Sequence, residues 1–288
     1  MTFQITRRAA LAGAALLVPT YATADENLFA ALEKRSGGRL GVAALDTASG
    51  RRLDYRSSER FPMCSTFKLL LVAAILQRVD RGKENLARFV KYGKSDFPAP
   101  GFYAPVTRAN LAKGGMTLDA LCAAAIEYSD NTAANLMLAS LGGPDAVTGF
   151  ARAIGDNVTR LDRNEPTLNS SVPGDPRDTT TPSAMMNDLD VIAFGRNVLS
   201  MQSSERLIGW LRGCKTADKR IRAGLPAGWT TGNKTGTGDN GSTNDVAIIW
   251  PPKRQPILVA AYYTGSTASD AAREAVLADV GRIVAKSL

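Results

Sequence analysis

A serine and a lysine three residues apart can make a hydroxyl nucleophilic, and residues 63–76, MCSTFKLLLVAAIL, hold such a pair in Ser65 and Lys68. On a helix that spacing puts both side chains on one face, one turn apart and within hydrogen-bond reach. A neutral lysine can take the serine proton, and a helix N-terminus favours the negative charge that develops. The ammonium heads a run that is otherwise almost wholly apolar, so burying it is costly unless other groups compensate. The alternative is a capping serine with a lysine that reaches out to water. Ser-x-x-Lys arises about once by chance in a chain of this size at ordinary residue frequencies, so the remaining residues must decide.

Three further stretches carry chemistry. Ser129-Asp130-Asn131 stands at the joint of two helical patterns, where a hydroxyl could move protons while an amide grips a carbonyl; taken singly, it is also a common helix cap. Lys234-Thr235-Gly236-Thr237-Gly238 ends a predicted strand, and an ammonium with two hydroxyls beside small residues suits a carboxylate lying along that strand. Its plain alternative is a surface turn. Glu165-Pro166-Thr167-Leu168-Asn169 lies in a long polar segment, where a carboxylate and an amide could orient and deprotonate a water. Arg160 with Asp162, and Arg163 with Asp178, are placed to staple that segment closed, although solvated pairs of this kind contribute little.

What is missing narrows the chemistry further. The 288 residues contain no histidine, which removes Ser-His-Asp triads, Cys-His proteases and His-ligated zinc. A catalytic base must come from Lys, Glu, Asp or Tyr. Cys64, Cys122 and Cys214 form no C-x-x-C pair, so no metal or redox motif is expected, and at most one disulfide among any two of them. The formal charge of +8 is spread among acids without a basic cluster interleaved with aromatics, which reads as a solvated surface and not as a nucleic-acid face.

The elements that must position these groups follow from periodicity. Residues 25–36 predict an amphipathic helix stopped by Gly37-Gly38, and 40–46 with 51–55 predict a hairpin. Helical patterns fill 67–79, 117–129, 131–141, 145–154 and 183–194, interrupted by an ordered loop over 160–181. Strands return at 228–234, 245–250 and 257–263, and a last helix covers 269–286. The fold class is therefore α/β in the α+β sense: an antiparallel sheet flanked by helices, with an all-helical domain inserted. The expected division is a sheet domain from 25–60 and 212–288, and a helical domain from 61–211 that includes the 160–181 loop. A cleft between them is the natural place for a site. Residues 1–24 read as an export signal: Thr6-Arg7-Arg8-Ala9-Ala10-Leu11 is a twin-arginine pattern, followed by a short apolar run and Ala22-Thr23-Ala24. That run is too short for a permanent span, so a periplasmic or secreted protein without an anchor is expected after processing.

Taken together and in this chain order, S-x-x-K, S-D-N and K-T-G with a loop glutamate resemble the class A serine β-lactamases. The resemblance runs from Leu40 to the C-terminal helix and implies the serine β-lactamase/penicillin-binding protein-like fold. It implies that Ser65 opens the lactam ring to an acyl-enzyme of penicillins and cephalosporins, with Ser65 and Thr237 N–H groups as the oxyanion hole. Lys68 and Ser129 are then the proton carriers, and Glu165 with Asn169 holds the water that releases the product; either Lys68 or Glu165 is the acylation base. Asn131 is implied to contact the substrate side-chain amide, and Lys234, Thr235 and Thr237, around Gly236, its carboxylate. Arg220 is implied to support that carboxylate from a neighbouring strand, because Thr243 stands where many members carry arginine. A cis Glu165–Pro166 peptide, β-lactam antibiotics as partners, a monomer and no cofactor also follow from the resemblance. Cys64 recurs in the cefotaxime- and carbapenem-hydrolysing branches, but Gly238 stands where the latter place the bridging cysteine. The nearest rivals, a penicillin-binding D-alanyl-D-alanine peptidase and a β-lactam sensor, normally lack the loop glutamate and asparagine.

Overall fold

The computed structural model describes residues 24–195 and 197–288. Positions 1–23 of the export-signal reading lie outside the described residues. The chain opens with α1 (Ala24–Ser36), then β1 (Arg39–Asp46), β2 (Arg52–Tyr55) and the short β3 (Phe61–Pro62). A 3₁₀ turn over Cys64–Phe67 leads into α2 (Lys68–Asp80). Next come β4 (Phe89–Lys91), α3 (Pro105–Ala109), β5 (Gly115–Thr117), α4 (Leu118–Glu127), α5 (Asn131–Leu141) and α6 (Asp145–Ala153). After the long loop and β6 (Thr179–Thr180) follow α7 (Pro182–Phe194) and α8 (Met201–Arg212). Strands β7 (Thr230–Thr237), β8 (Thr243–Trp250) and β9 (Ile257–Thr264) and helix α9 (Asp270–Ser287) complete the fold.

The five long strands form one antiparallel sheet in the order β2-β1-β9-β8-β7. The first and last parts of the chain therefore meet in its middle, where β1 pairs with β9. Both faces are covered, which is why β8 and β9 read as nearly unbroken apolar runs. Leu258, Ala260 and Tyr262 face the helices that follow β3, while Ile257, Val259, Ala261 and Tyr263 face the layer of α1 and α9. Helix α2 runs through the larger core with every residue from Lys68 to Leu76 buried. Truncating one of its leucines to alanine costs about 2–5 kcal/mol by the usual cavity relation.

Boundaries differ from the expected ones where tertiary pairing decides. Strand β7 starts at Thr230 and continues past Lys234 to Thr237, because Gly236 and Thr237 still pair with Asn244 and Thr243 of β8. A glycine inside a strand looks like a stop in sequence, but its backbone pairs as well as any other. Helix α8, capped by the Ser200 hydroxyl on Ser203 N–H, was not resolved as a separate element by periodicity.

One buried acid is not explained by the site. Asp188 on α7 is 3% exposed, and its Oδ2 has no hydrogen-bond partner. Burial, then the neighbouring Asp156 charge and hydrogen bond, raises its pKa well above the ordinary carboxylate value, which favours a proton held toward Asp156. Asp156 is itself tied down by the N–H groups of Val158 and Thr159. A raised folded-state pKa gives stability that is complete below the unfolded value and is lost as pH rises toward the folded one. Asp188→Asn keeps a donor to Asp156 without titrating. Its unfolding free energy should gain on the parent by an amount that grows between pH 5 and pH 7, at up to about 1.4 kcal/mol per pH unit, as denaturant melts at each pH would show. Parallel curves for the two proteins would show that Asp188 ionises normally.

Candidate active site

The site assembles around Lys68, the first residue of α2 and wholly buried. Ser65 lies in the preceding 3₁₀ turn and not on the α-helix itself; there, residues three apart eclipse each other. Lys68 Nζ lies 2.9 Å from Ser65 Oγ, so the amine points inward and does not reach solvent. Around the same nitrogen stand Asn131 Oδ1 at 2.6 Å, Ser129 O at 2.9 Å, Ser129 Oγ at 3.3 Å and Glu165 Oε1 at 2.9 Å. These oxygens offset the desolvation that would otherwise expel the charge. Burial still pushes the lysine pKa below its ordinary value, with Glu165 pulling the other way.

The second wall comes from the α4–α5 joint. Asp130 caps α5 through Ala133 N–H and accepts from the N–H groups of Val106 and Thr107, so its carboxylate is a fastener. Ser129 adopts the left-handed φ of +58°, a conformation that costs a serine on the order of 1–3 kcal/mol and that aims its hydroxyl into the cleft. There Ser129 Oγ accepts from Lys234 Nζ at 3.0 Å while lying 3.3 Å from Lys68 Nζ. One hydroxyl thus connects two amines. Burial, then the charge of Lys68, lowers the Lys234 pKa to about 7, so an arriving carboxylate would favour its charged form.

The long loop supplies the third wall. Ser65 Oγ donates to Glu165 Oε1 at 3.1 Å, and Asn169 Nδ2 donates to Glu165 Oε2 at 2.5 Å. Asn169 Oδ1 is buried without a protein partner, leaving an acceptor beside the carboxylate. The staples expected from sequence are present: Arg160 pairs with Asp162, and Arg163 Nε reaches Asp178 Oδ2 at 2.6 Å. Asp178 also accepts from the N–H groups of Asp162 and Arg163, and its carbonyl accepts from Met63 N–H at 2.9 Å. The Glu165–Pro166 peptide is cis. Sequence reasoning missed Asn135, whose amide bonds both Glu165 N–H (3.0 Å) and Glu165 O (2.9 Å). Its signal was available: Asn135 lies four residues after Asn131 on the same face of α5.

Strand β7, the sheet edge, closes the cleft with Thr235, Gly236 and Thr237. A side chain on Gly236 would stand 2.7 Å from Met63 O, and one on Gly238 would stand 2.7 Å from both Cys64 Sγ and Asn169 O. Cys64, in the same 3₁₀ turn as Ser65, is buried, and burial pushes its pKa up to about 12. All three cysteines are free thiols. Arg220 does reach this edge, but from a loop before a 3₁₀ turn (Ile221–Gly224), not from a strand. It is 5% exposed and donates to Gly236 O and Asn244 O at 2.8 Å and to Thr237 Oγ1 at 2.7 Å. The resulting cleft of about 680 Å³ is lined by Ser65, Ser129, Asn131, Asn169, Thr235 and Thr237, with Tyr103 at its mouth.

Residues 25–288 match the β-lactamase enzyme family. The chain belongs to this family. It is 49% identical over 268 residues to β-lactamase CTX-M-8 of Citrobacter amalonaticus, covering 92% of this chain and 90% of that protein. It is 47% identical over 270 residues to β-lactamase OXY-1 of Klebsiella oxytoca, covering 93% and 91%. Among solved structures, the class A β-lactamase of the last common ancestor of Gram-negative bacteria superposes with a TM-score of 0.89 at 60% identity, covering 92% of this chain and 99% of that one. A putative class A β-lactamase of Rhodopseudomonas palustris gives 0.88 at 51% identity, covering 92% and 100%. The chain is a class A serine β-lactamase with the fold of these neighbours.

Proposed function

We propose that this β-lactamase hydrolyses penicillins and cephalosporins through an acyl-enzyme on Ser65. The observation that carries the reading is the convergence of Lys68 Nζ (2.9 Å) and Glu165 Oε1 (3.1 Å) on one hydroxyl oxygen. Ser65 Oγ gives up its proton to Lys68, or to Glu165 through a water, and attacks the lactam carbonyl, whose oxygen is held by the Ser65 and Thr237 N–H groups. The C–N bond breaks as Ser129 delivers a proton to the ring nitrogen, and its hydroxyl recovers one through Lys68 or Lys234. Asn131 holds the acyl side-chain amide, while Lys234, Thr235 and Thr237, with Gly236 giving room and Arg220 behind them, hold the carboxylate. A water set between Glu165 and Asn169 then gives its proton to Glu165 and attacks the ester carbonyl, and the acyl–Oγ bond breaks as Ser65 Oγ recovers a proton.

The same reading takes 25–60 with 212–288 as the sheet unit and 61–211 as the helical unit, with the cleft between them. It also takes the protein as a monomer exported through the twin-arginine route to the periplasm or beyond, supported by the Arg7-Arg8 pattern. No helix among the described residues is long and apolar enough to cross a membrane. Mixing the protein with a chromogenic cephalosporin tests the central reading. Steady turnover over many equivalents is expected; a single stoichiometric burst would instead assign it to the peptidases or sensors that stay acylated.

A further inference from the structure

Two charges at the cleft take no part in the chemistry above. Lys215 and Lys219 are exposed, line the same cleft as Ser65, and form no ion pair among the described residues. Both lie next to the carboxylate-binding groups. Lys219 adjoins Arg220, whose Nη2 is 2.7 Å from Thr237 Oγ1, and Lys215 adjoins Thr216, whose Oγ1 is 2.5 Å from Thr235 Oγ1. The acids on this wall are already engaged. Glu274 lies 3.4 Å from Arg220 Nε and Asp218 lies 2.6 Å from Arg222 Nη1. Glu127, which feels the Lys215 charge, is drawn toward its neutral form by burial. The remaining acid lining the cleft, Asp239, stands two residues past Thr237, beyond the end of β7, where its N–H bonds Asn169 O of the long loop at 2.8 Å. The carboxylate wall therefore carries two uncompensated cations beyond those that grip the substrate carboxylate.

In a cephalosporin, the 3′ substituent hangs from the ring carbon next to the one that bears the carboxylate. With that carboxylate on Lys234, Thr235 and Thr237, the substituent projects along this wall. We propose that Lys215 and Lys219 form an electrostatic rim that makes the enzyme favour cephalosporins with a negatively charged 3′ substituent over those with a positively charged one. The proposal rests on the β-lactam hydrolase reading and adds the charge class of the substrate. Free, exposed ammoniums act through space, so their effect is on encounter and ground-state placement and is screened by salt.

The test compares kcat/KM for three cephalosporins that share one acyl side chain and carry an anionic, a neutral or a cationic 3′ group. The parent is expected to prefer the anionic member to the cationic one, and Lys215→Ala/Lys219→Ala should reduce that ratio by about five- to tenfold. Lys215→Arg/Lys219→Arg should keep it, and 0.5 M NaCl should erase most of it in the parent. The neutral member reports any general loss, so the ratio isolates charge. A ratio that stays within twofold of the parent in the alanine variant, or that ignores salt, overturns the rim. Failure of the parent to turn over any of the three would instead sink the hydrolase reading beneath it.

Discussion

Ser65→Ala is expected to lose covalent labelling by penicillin altogether and to lower kcat/KM by about 10⁴- to 10⁶-fold, as for other nucleophiles that act as a unit with their base. The change removes one oxygen and leaves Lys68 with Asn131 Oδ1, Ser129 O and Glu165 Oε1, so the fold should survive. Intact-mass measurement after incubation with penicillin checks the first part and steady-state kinetics the second. A full equivalent of label on some other residue would remove Ser65 from its role.

Glu165→Ala should split the reaction in two. Acylation continues and hydrolysis stalls, so acyl-enzyme accumulates and kcat falls by about 10²- to 10⁴-fold, the usual range for a lost general base. The geometry makes the variant informative about acylation as well, because Glu165 Oε1 touches both Ser65 Oγ and Lys68 Nζ. If Lys68 is the base, loss of the carboxylate lets burial lower the lysine pKa further, and the rapid-mixing acylation rate holds. If Glu165 takes the proton through water, that rate drops together with deacylation. A variant that turns over as fast as the parent would discard Glu165 from both steps.

Much of the site was legible because its chemistry is local. The spacing of Ser65 and Lys68 fixes a shared face, and Arg163 with Asp178 pairs ends of a loop that the composition already marks. The inward course of Lys68 did not escape: the motifs taken together set Ser65, Ser129, Asn131 and Glu165 around it, and their oxygens stand around its nitrogen. What escaped depends on how distant segments meet. Asn135 looked like an ordinary helix residue until the loop backbone arrived beside it. The positive φ of Ser129 has no sequence marker at all, since asparagine or glycine would be the usual choice for that conformation. The resemblance implied a strand for Arg220; the loop it sits on instead is held by its contacts with β7 and α9.

The bond from Met63 N–H to Asp178 O joins the foot of the loop to the backbone just ahead of Ser65. On the proposed reading, the segment that would hold the water is thus fastened to the segment that would form the ester. Slackening one end, at Arg163 or Asp178, cannot leave the other unmoved. Drift at this anchor should detune bond making and bond release together, giving a slower enzyme in both halves of its cycle even where every reacting side chain is intact.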